Sequence, residues 1–283
     1  MSLFAFGLGY SAACVVARGQ LGSASGTVRD PGAIEVWRAR GVEARLYDPG
    51  DERMLGAIRR AAVALSSIPP DVAGDPVLRD FAPSLTGLRR LVYLSTVGVY
   101  GDCAGDWVDE ESPTLAVTPR ARARIAAETA WTAFGAAHGV PVDILRLGGI
   151  YGPGRSAFDR LREGNARRVV KPGQVFNRIH VEDIAAAVET VVAAGRPGAI
   201  YNVVDGAPSP PQDVIVYAAE RMGVPPPPEE PFAQAGLSGM ALSFYEENRR
   251  VRNERLRALG WSPAYATYRE GLEAIWAMER GAG

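Results

Sequence analysis

The sequence is nearly without lysine. Of its 31 basic residues one is a lysine, Lys171, and the rest are arginines, so any chemistry that needs an ε-amine has a single place to sit. Arginine and alanine are enriched along the whole chain, so the arginines as a class carry little functional meaning. Two cysteines, Cys14 and Cys103, exclude a disulfide framework and fit a reducing cytoplasm. The formal net charge of −1 offers no basic surplus for a general nucleic-acid or anionic-membrane partner. No run of about 18 uncharged apolar residues occurs, so no membrane span is expected. The apolar stretch 3–17 does not read as an export signal either, because no Lys or Arg precedes Arg18. No metal site is expected.

What is present is the composition of a folded chain. The 283 residues are 47% apolar and 22% charged, enough for one large or two modest domains with a true core and too apolar for bulk disorder. Short apolar runs alternate with helical patterns. Strands are predicted at Leu3–Phe6, at a run ending in Thr27–Arg29, and at Val42–Tyr47, Val63–Ile68, Leu91–Leu94, Val142–Leu147 and Ala199–Val204. Helices are predicted at Ser11–Leu21, Ile34–Arg40, Asp51–Ala61, Pro76–Leu88 with a break near Pro83, Pro119–His138, Val181–Ala194, Gln212–Met222, Glu246–Leu259 and Tyr268–Arg280. Strand and helix in alternation, with near-continuous apolar strands, give an α/β fold: a doubly wound parallel sheet covered on both faces. A flavodoxin-like arrangement would give the same alternation.

The most informative segment is Gly7-Leu8-Gly9-Tyr10-Ser11-Ala12, a G-x-G-x-x-A turn between the first strand and the first helix. Gly7 permits the tight turn, Gly9 lets a pyrophosphate approach the backbone, and Ala12 lets helix and strand pack closely. The phosphates of a dinucleotide would rest on the amides of Tyr10 and Ser11, where the helix dipole favours anions. The end of the second strand then selects the cofactor. Arg29 lies 22 residues after Gly7 and offers a bidentate guanidinium to a ribose 2′-phosphate, with Thr27 as an additional hydroxyl. This favours NADP, with NAD as the alternative through Asp30, which could equally cap a turn.

These segments, together with Tyr93-Leu94-Ser95-Thr96-Val97-Gly98-Val99-Tyr100-Gly101, Arg146-Leu147-Gly148-Gly149-Ile150-Tyr151-Gly152-Pro153-Gly154-Arg155, Ile179-His180-Val181-Glu182-Asp183 and Tyr201-Asn202-Val203, resemble the extended short-chain dehydrogenase/reductase family, in its NAD-dependent epimerase/dehydratase branch. The resemblance runs over nearly the whole chain. It implies a Rossmann domain over residues 1–155, its sheet completed by about 179–206, and a smaller C-terminal α/β substrate lobe over 156–283. It also implies catalysis by a Ser or Thr with a Tyr-x-x-x-Lys pair. The hydroxyl falls on Thr96, with Ser95 beside it.

The Tyr–Lys pair is missing. Where the family carries it, this chain has Arg120 and Arg124, and no Tyr-x-x-x-Lys exists around Lys171. A guanidinium stays protonated and is a poor proton shuttle. Arg124 can still act as a fixed cation, and Tyr151 and Tyr100 are weaker candidates for the acid. His180 is expected to position the start of a helix and His138 to cap the end of another. In the substrate half, Phe176-Asn177-Arg178 replaces the Arg-Asp-Tyr of nucleotide-sugar enzymes, and the basic stretch from Arg155 to Lys171 could meet a phosphate-bearing substrate or simply be solvated. Two readings follow. One is an NADP-dependent oxidoreductase or epimerase-type enzyme with an atypical site, acting on a small alcohol, carbonyl or nucleotide sugar in the cytoplasm, as a homodimer. The other is a nucleotide-binding regulator or scaffold without catalysis.

Overall fold

Strand β1 (Ser2–Phe6) places alternate side chains on opposite faces, as the two-residue period of a strand requires. Leu3 and Ala5 enter one core, and Phe4 and Phe6 enter another. Around it, in a computed structural model that describes residues 1–281, the chain runs α1 (Tyr10–Arg18), β2 (Ser23–Val28), α2 (Gly32–Arg38), β3 (Glu43–Leu46), α3 (Glu52–Arg60), β4 (Val63–Ser66), α4 (Pro76–Leu85), β5 (Arg90–Thr96), the short β6 (Trp107–Val108), α5 (Pro119–His138) and β7 (Val142–Leu147). The second half adds β8 (Gly149–Tyr151), α6 (Ala157–Arg162), β9 (Arg168–Val170), β10 (Arg178–His180), α7 (Val181–Ala194), β11 (Ile200–Val203), α8 (Pro211–Met222), β12 (Glu229–Pro231), α9 (Gly239–Glu246), β13 (Arg250–Val251), α10 (Glu254–Arg257) and α11 (Tyr268–Gly281).

Seven strands form one parallel sheet in the order β11-β7-β5-β4-β1-β2-β3. The order reverses between β1 and β4, so the crevice beyond their carboxyl ends is where ligands bind in such sheets. Helices α1 and α7 cover one face through Val15, Val16, Ile184 and Val188. Helices α3, α4 and α5 cover the other through Ile58, Phe81 and Trp131. The residues of β7 are all buried, which is why its apolar run was legible. A third apolar cluster joins Tyr151 and Phe158 to α8 and α11. Among the described residues no helix is long and apolar enough to cross a membrane.

Local chemistry sets the helix ends. Asp51 accepts from Arg53 N–H, Thr118 accepts from Ala121 N–H ahead of Pro119, and Ser156 and Asp159 form a reciprocal capping box. Three predicted elements differ. Helix α1 stops at Arg18, three residues short of Leu21, because Gly19 takes the left-handed conformation (φ 67°). Helix α4 continues through Pro83 without a break; the carbonyl that loses its donor belongs to Arg79, an exposed residue. The predicted helix Glu246–Leu259 does not form: Arg250–Val251 pairs instead with Trp107–Val108, leaving only the short α10.

Candidate functional site: a glycine turn at the switch point of the sheet

The turn after β1 is held from both sides. Gly7 adopts φ 86°, a conformation open to glycine and costly for other residues. Its N–H donates to Thr27 Oγ1 at 2.9 Å, and Leu8 N–H donates to Thr27 O at 2.8 Å. From the β4 side, Ser67 Oγ donates to Gly7 O at 2.7 Å. Strands β2 and β4 thus clamp the turn at the point where the strand order reverses.

Gly9 then caps α1 with no side-chain bond of its own and no acid in the first turn. The leading amides of the helix are left without side-chain partners, the arrangement that receives an anion. A Cβ placed on Gly9 would meet nothing within 4 Å. The space is open, so the protein's own packing does not demand glycine there. A cradle that a side chain would fill fits the pyrophosphate of a dinucleotide, with Tyr10 and Ser11 supplying amides. Ala12 is fully buried beneath them, where the helix lies against the sheet. Tyr10 also reaches across the molecule: its hydroxyl donates to Pro153 O at 3.0 Å, and Arg155 lies 5.7 Å above its ring.

Arg29 follows the last residue of β2 and is exposed beside this turn. Asp30 is occupied, accepting from Gly32 N–H at 2.9 Å in the turn that leads into α2. Thr27 is 1% exposed and sits under the glycine turn, so its hydroxyl shapes the turn and does not face a ribose. That corrects its expected role.

The residues predicted to be catalytic separate. Thr96 lies at the carboxyl end of β5, where its Oγ1 accepts from Gly98 N–H at 3.1 Å. Ser95 points the other way, as adjacent residues of a strand must. It is buried and donates to Glu128 Oε1 at 2.5 Å, so it belongs to the interior and not to the mouth. Glu128 also receives Arg146, with Nη2 at 2.7 Å from Oε2. Arg146 Nη1 donates to the Tyr100 hydroxyl at 3.0 Å, and Tyr100 donates to Asn202 Oδ1 at 2.8 Å. This buried network crosses β5, β7, β11 and α5. Sequence reasoning missed it, because Glu128 and Arg146 show no spacing that links them. Arg124 is half-buried one turn before Glu128, and its Nη1 donates to Tyr93 Oη at 2.9 Å and to Leu94 O at 2.8 Å.

Tyr151 is turned toward α11, with its hydroxyl close against Gly271 and 3.5 Å from Thr267 O. Burial pushes the Tyr151 and Tyr100 hydroxyls above the ordinary phenol range, and that of Tyr10 up to about 12. All three are poorer acids than a free tyrosine. His180 caps α7, its Nδ1 accepting from Glu182 N–H at 3.3 Å. Its ring is 2% exposed and stacks near Tyr151 and Tyr265. Burial lowers its pKa from 6.5 to about 4. The native state therefore resists a proton that the unfolded chain accepts, and stability is lost as pH falls from 6.5 toward 4. At pH 5 this costs about 2 kcal/mol. Urea midpoints at pH 7.5 and pH 5 should fall further for the wild type than for His180→Asn, which keeps a capping acceptor; equal falls would contradict the assignment.

Three comparisons bear on this geometry. The model of the "NAD dependent epimerase/dehydratase family" matches residues 71–204. A solved structure of a functionally unknown conserved protein from Silicibacter pomeroyi is 46% identical, with a TM-score of 0.90 over 98% of both chains. The dTDP-glucose 4,6-dehydratase of Bacillus anthracis, solved in complex with NAD, shares the fold at 18% identity, with a TM-score of 0.77 over 99% of this chain and 97% of its own. Among curated proteins, YeeZ of Escherichia coli is 32% identical over 189 residues, 65% of this chain and 58% of YeeZ. The match thus spans less than two thirds of the length of that relative.

Proposed function

The chain belongs to the NAD-dependent epimerase/dehydratase family, and from that premise we propose that it is an NADP-dependent oxidoreductase or epimerase. Its substrate would be a small molecule bearing an alcohol or carbonyl, of the nucleotide-sugar kind handled by its structural neighbours. The observation that carries this reading is the open cradle at Gly9, formed where the sheet order reverses.

A bound nicotinamide dinucleotide supplies the hydride acceptor or donor. The chain supplies the rest. The leading amides of α1 hold phosphate oxygens, and Arg29 receives a 2′-phosphate while Asp30 is engaged with Gly32. Thr96 already accepts from Gly98 N–H, so its own proton is free to donate to a substrate oxygen. Arg124, fixed through one nitrogen to Tyr93 and Leu94, keeps its other edge as a permanent cation toward a ribose hydroxyl. The proton that the family's tyrosine would carry moves through another group or water, since no guanidinium can shuttle it.

Titration with NADPH and NADH tests the cofactor assignment. Arg29→Asp should weaken NADPH at least about tenfold, or 1.4 kcal/mol, while changing NADH affinity little. Equal losses for both would overturn the NADP assignment. Turnover of NADPH with carbonyls or nucleotide sugars tests the enzyme reading. The second reading, a dinucleotide-responsive regulator, is favoured by the arginines at positions 120 and 124 and by the lowered acidity of the buried tyrosine hydroxyls. Tight NADPH binding without turnover, together with a partner captured only in its presence, would select it.

A further inference from the structure

Arg249 is 9% exposed and immediately precedes β13. Its main chain is clamped by the buried Asn177. Arg249 O accepts from Asn177 Nδ2 at 3.1 Å, and Val251 N–H donates to Asn177 Oδ1 at 2.9 Å. The side chain crosses from there to the single helical turn Val97–Tyr100 that follows β5. Its Nη1 donates to Gly101 O and, at 2.8 Å, to Glu247 Oε2. Its Nε is buried without a partner. Among the described residues Nη2 donates to no protein atom, and it is not sealed from solvent.

The free nitrogen borders the same space as the Thr96 hydroxyl. The point that a Cβ would occupy on Gly98 lies 3.3 Å from Thr96 Oγ1 and 4.0 Å from Arg249 Nη2. The missing side chain of Gly98 therefore leaves one opening with a hydroxyl on one side and a guanidinium on the other, at the carboxyl end of β5. The charge of Arg249 is already balanced by Glu247. An arginine so paired does not call for an anionic ligand. What it keeps is a directional N–H donor, held in place by Asn177, Gly101 and Glu247. Such a donor suits a neutral oxygen that gains negative charge only while it reacts, because nothing has to reorganise when the charge appears.

We infer that Arg249 Nη2 and Thr96 Oγ1 together hold the reacting oxygen of the substrate, and that Arg249 polarises it in place of the tyrosine this chain lacks. The inference rests on the oxidoreductase reading above and deepens it. In the reducing direction the carbonyl carbon receives the hydride, and the carbon–oxygen π pair moves onto oxygen. Arg249 and Thr96 hold the alkoxide so formed, which takes its proton from water. The reduced dinucleotide is the two-electron donor, and the carbonyl ends as an alcohol. Arg249 keeps its own protons throughout, so the objection to a guanidinium as proton shuttle does not touch this role.

The test uses isobutyramide labelled with ¹³C at its carbonyl, a neutral compound that hydride does not reduce, on the full chain with and without NADPH. Affinity is read by saturation-transfer NMR and polarisation by the infrared carbonyl band. Saturable binding is expected, with the bound band below its frequency in water. Arg249→Met should weaken binding at least about tenfold and remove the shift, while Arg252→Gln, an exposed neighbour, should change neither. Gly98→Ala keeps every bond of Arg249, places a methyl in the shared space and should abolish binding; it decides the matter if the methionine variant fails to fold. For any carbonyl that the wild type reduces, Arg249→Met should lower kcat by about 100-fold. An unshifted band in the wild type, the same band and affinity in Arg249→Met or Gly98→Ala, or no saturable binding overturns the proposal. Parallel NADPH titration keeps the two readings apart: a wild type that binds no NADPH loses the oxidoreductase reading, while the band measured without cofactor still decides the role of Arg249.

Discussion

Gly9→Ala is expected to lose cofactor binding by at least about tenfold while leaving the protein folded. Most glycines that look indispensable are so because the protein has no room for a side chain or because the backbone is strained. At Gly9 neither applies: its φ is −86° and a methyl group there would touch no protein atom. The loss of a helix-capping glycine should cost at most about 1 kcal/mol, which in a chain of this size lowers the melting temperature by about 2–4 °C. Dinucleotide affinity by calorimetry and the melting curve together decide the matter. An alanine variant that binds NADPH as the wild type does would remove the pyrophosphate from this turn. Gly7→Ala makes a useful contrast: its positive φ, and a Cβ only 3.0 Å from Ser67 Oγ, tie it to folding as well as to binding.

The second large effect is expected in the interior. Glu128→Ala should destabilise the protein by about 3–5 kcal/mol, because it leaves the Arg146 guanidinium buried with no counter-charge. That is a large share of the roughly 5–15 kcal/mol that holds a typical domain folded. Ser95→Ala removes one neutral donor from the same carboxylate and should cost only about 1 kcal/mol. Pairing Glu128→Leu with Arg146→Met should recover most of the loss, since two apolar side chains need no partner. Denaturant unfolding of the three variants and the wild type gives the comparison. A Glu128→Ala variant within 1 kcal/mol of wild type would mean that the ion pair contributes nothing net.

The contrast between Ser95 and Thr96 shows where reading a sequence stops. Strands such as β7 and helices such as α7 were legible because burial on both faces or along one stripe writes itself as apolar residues in series. The glycine turn was legible because backbone geometry restricts residue choice within six positions. Which of two adjacent hydroxyls faces the mouth depends instead on Glu128, 33 residues after Ser95, and on Arg146 beyond it. Thr27 carries the same lesson: a hydroxyl at the end of β2 suits a ribose, until it is seen to be buried beneath the glycine turn. The predicted helix over 246–259 failed for a related reason. Its local pattern is helical enough, yet Arg250 and Val251 find a strand partner in Trp107 and Val108, far back along the chain.

The bond from the Tyr10 hydroxyl to Pro153 O spans 143 residues. During synthesis the first strand, the glycine turn and the first helix emerge long before the segment that steadies them. A ribosome-bound fragment truncated ahead of residue 153 would contain every amide of the phosphate cradle and lack its far-side brace. Nucleotide capture should consequently mature late in translation, with the release of the carboxyl-terminal half and not with the completion of the motif itself.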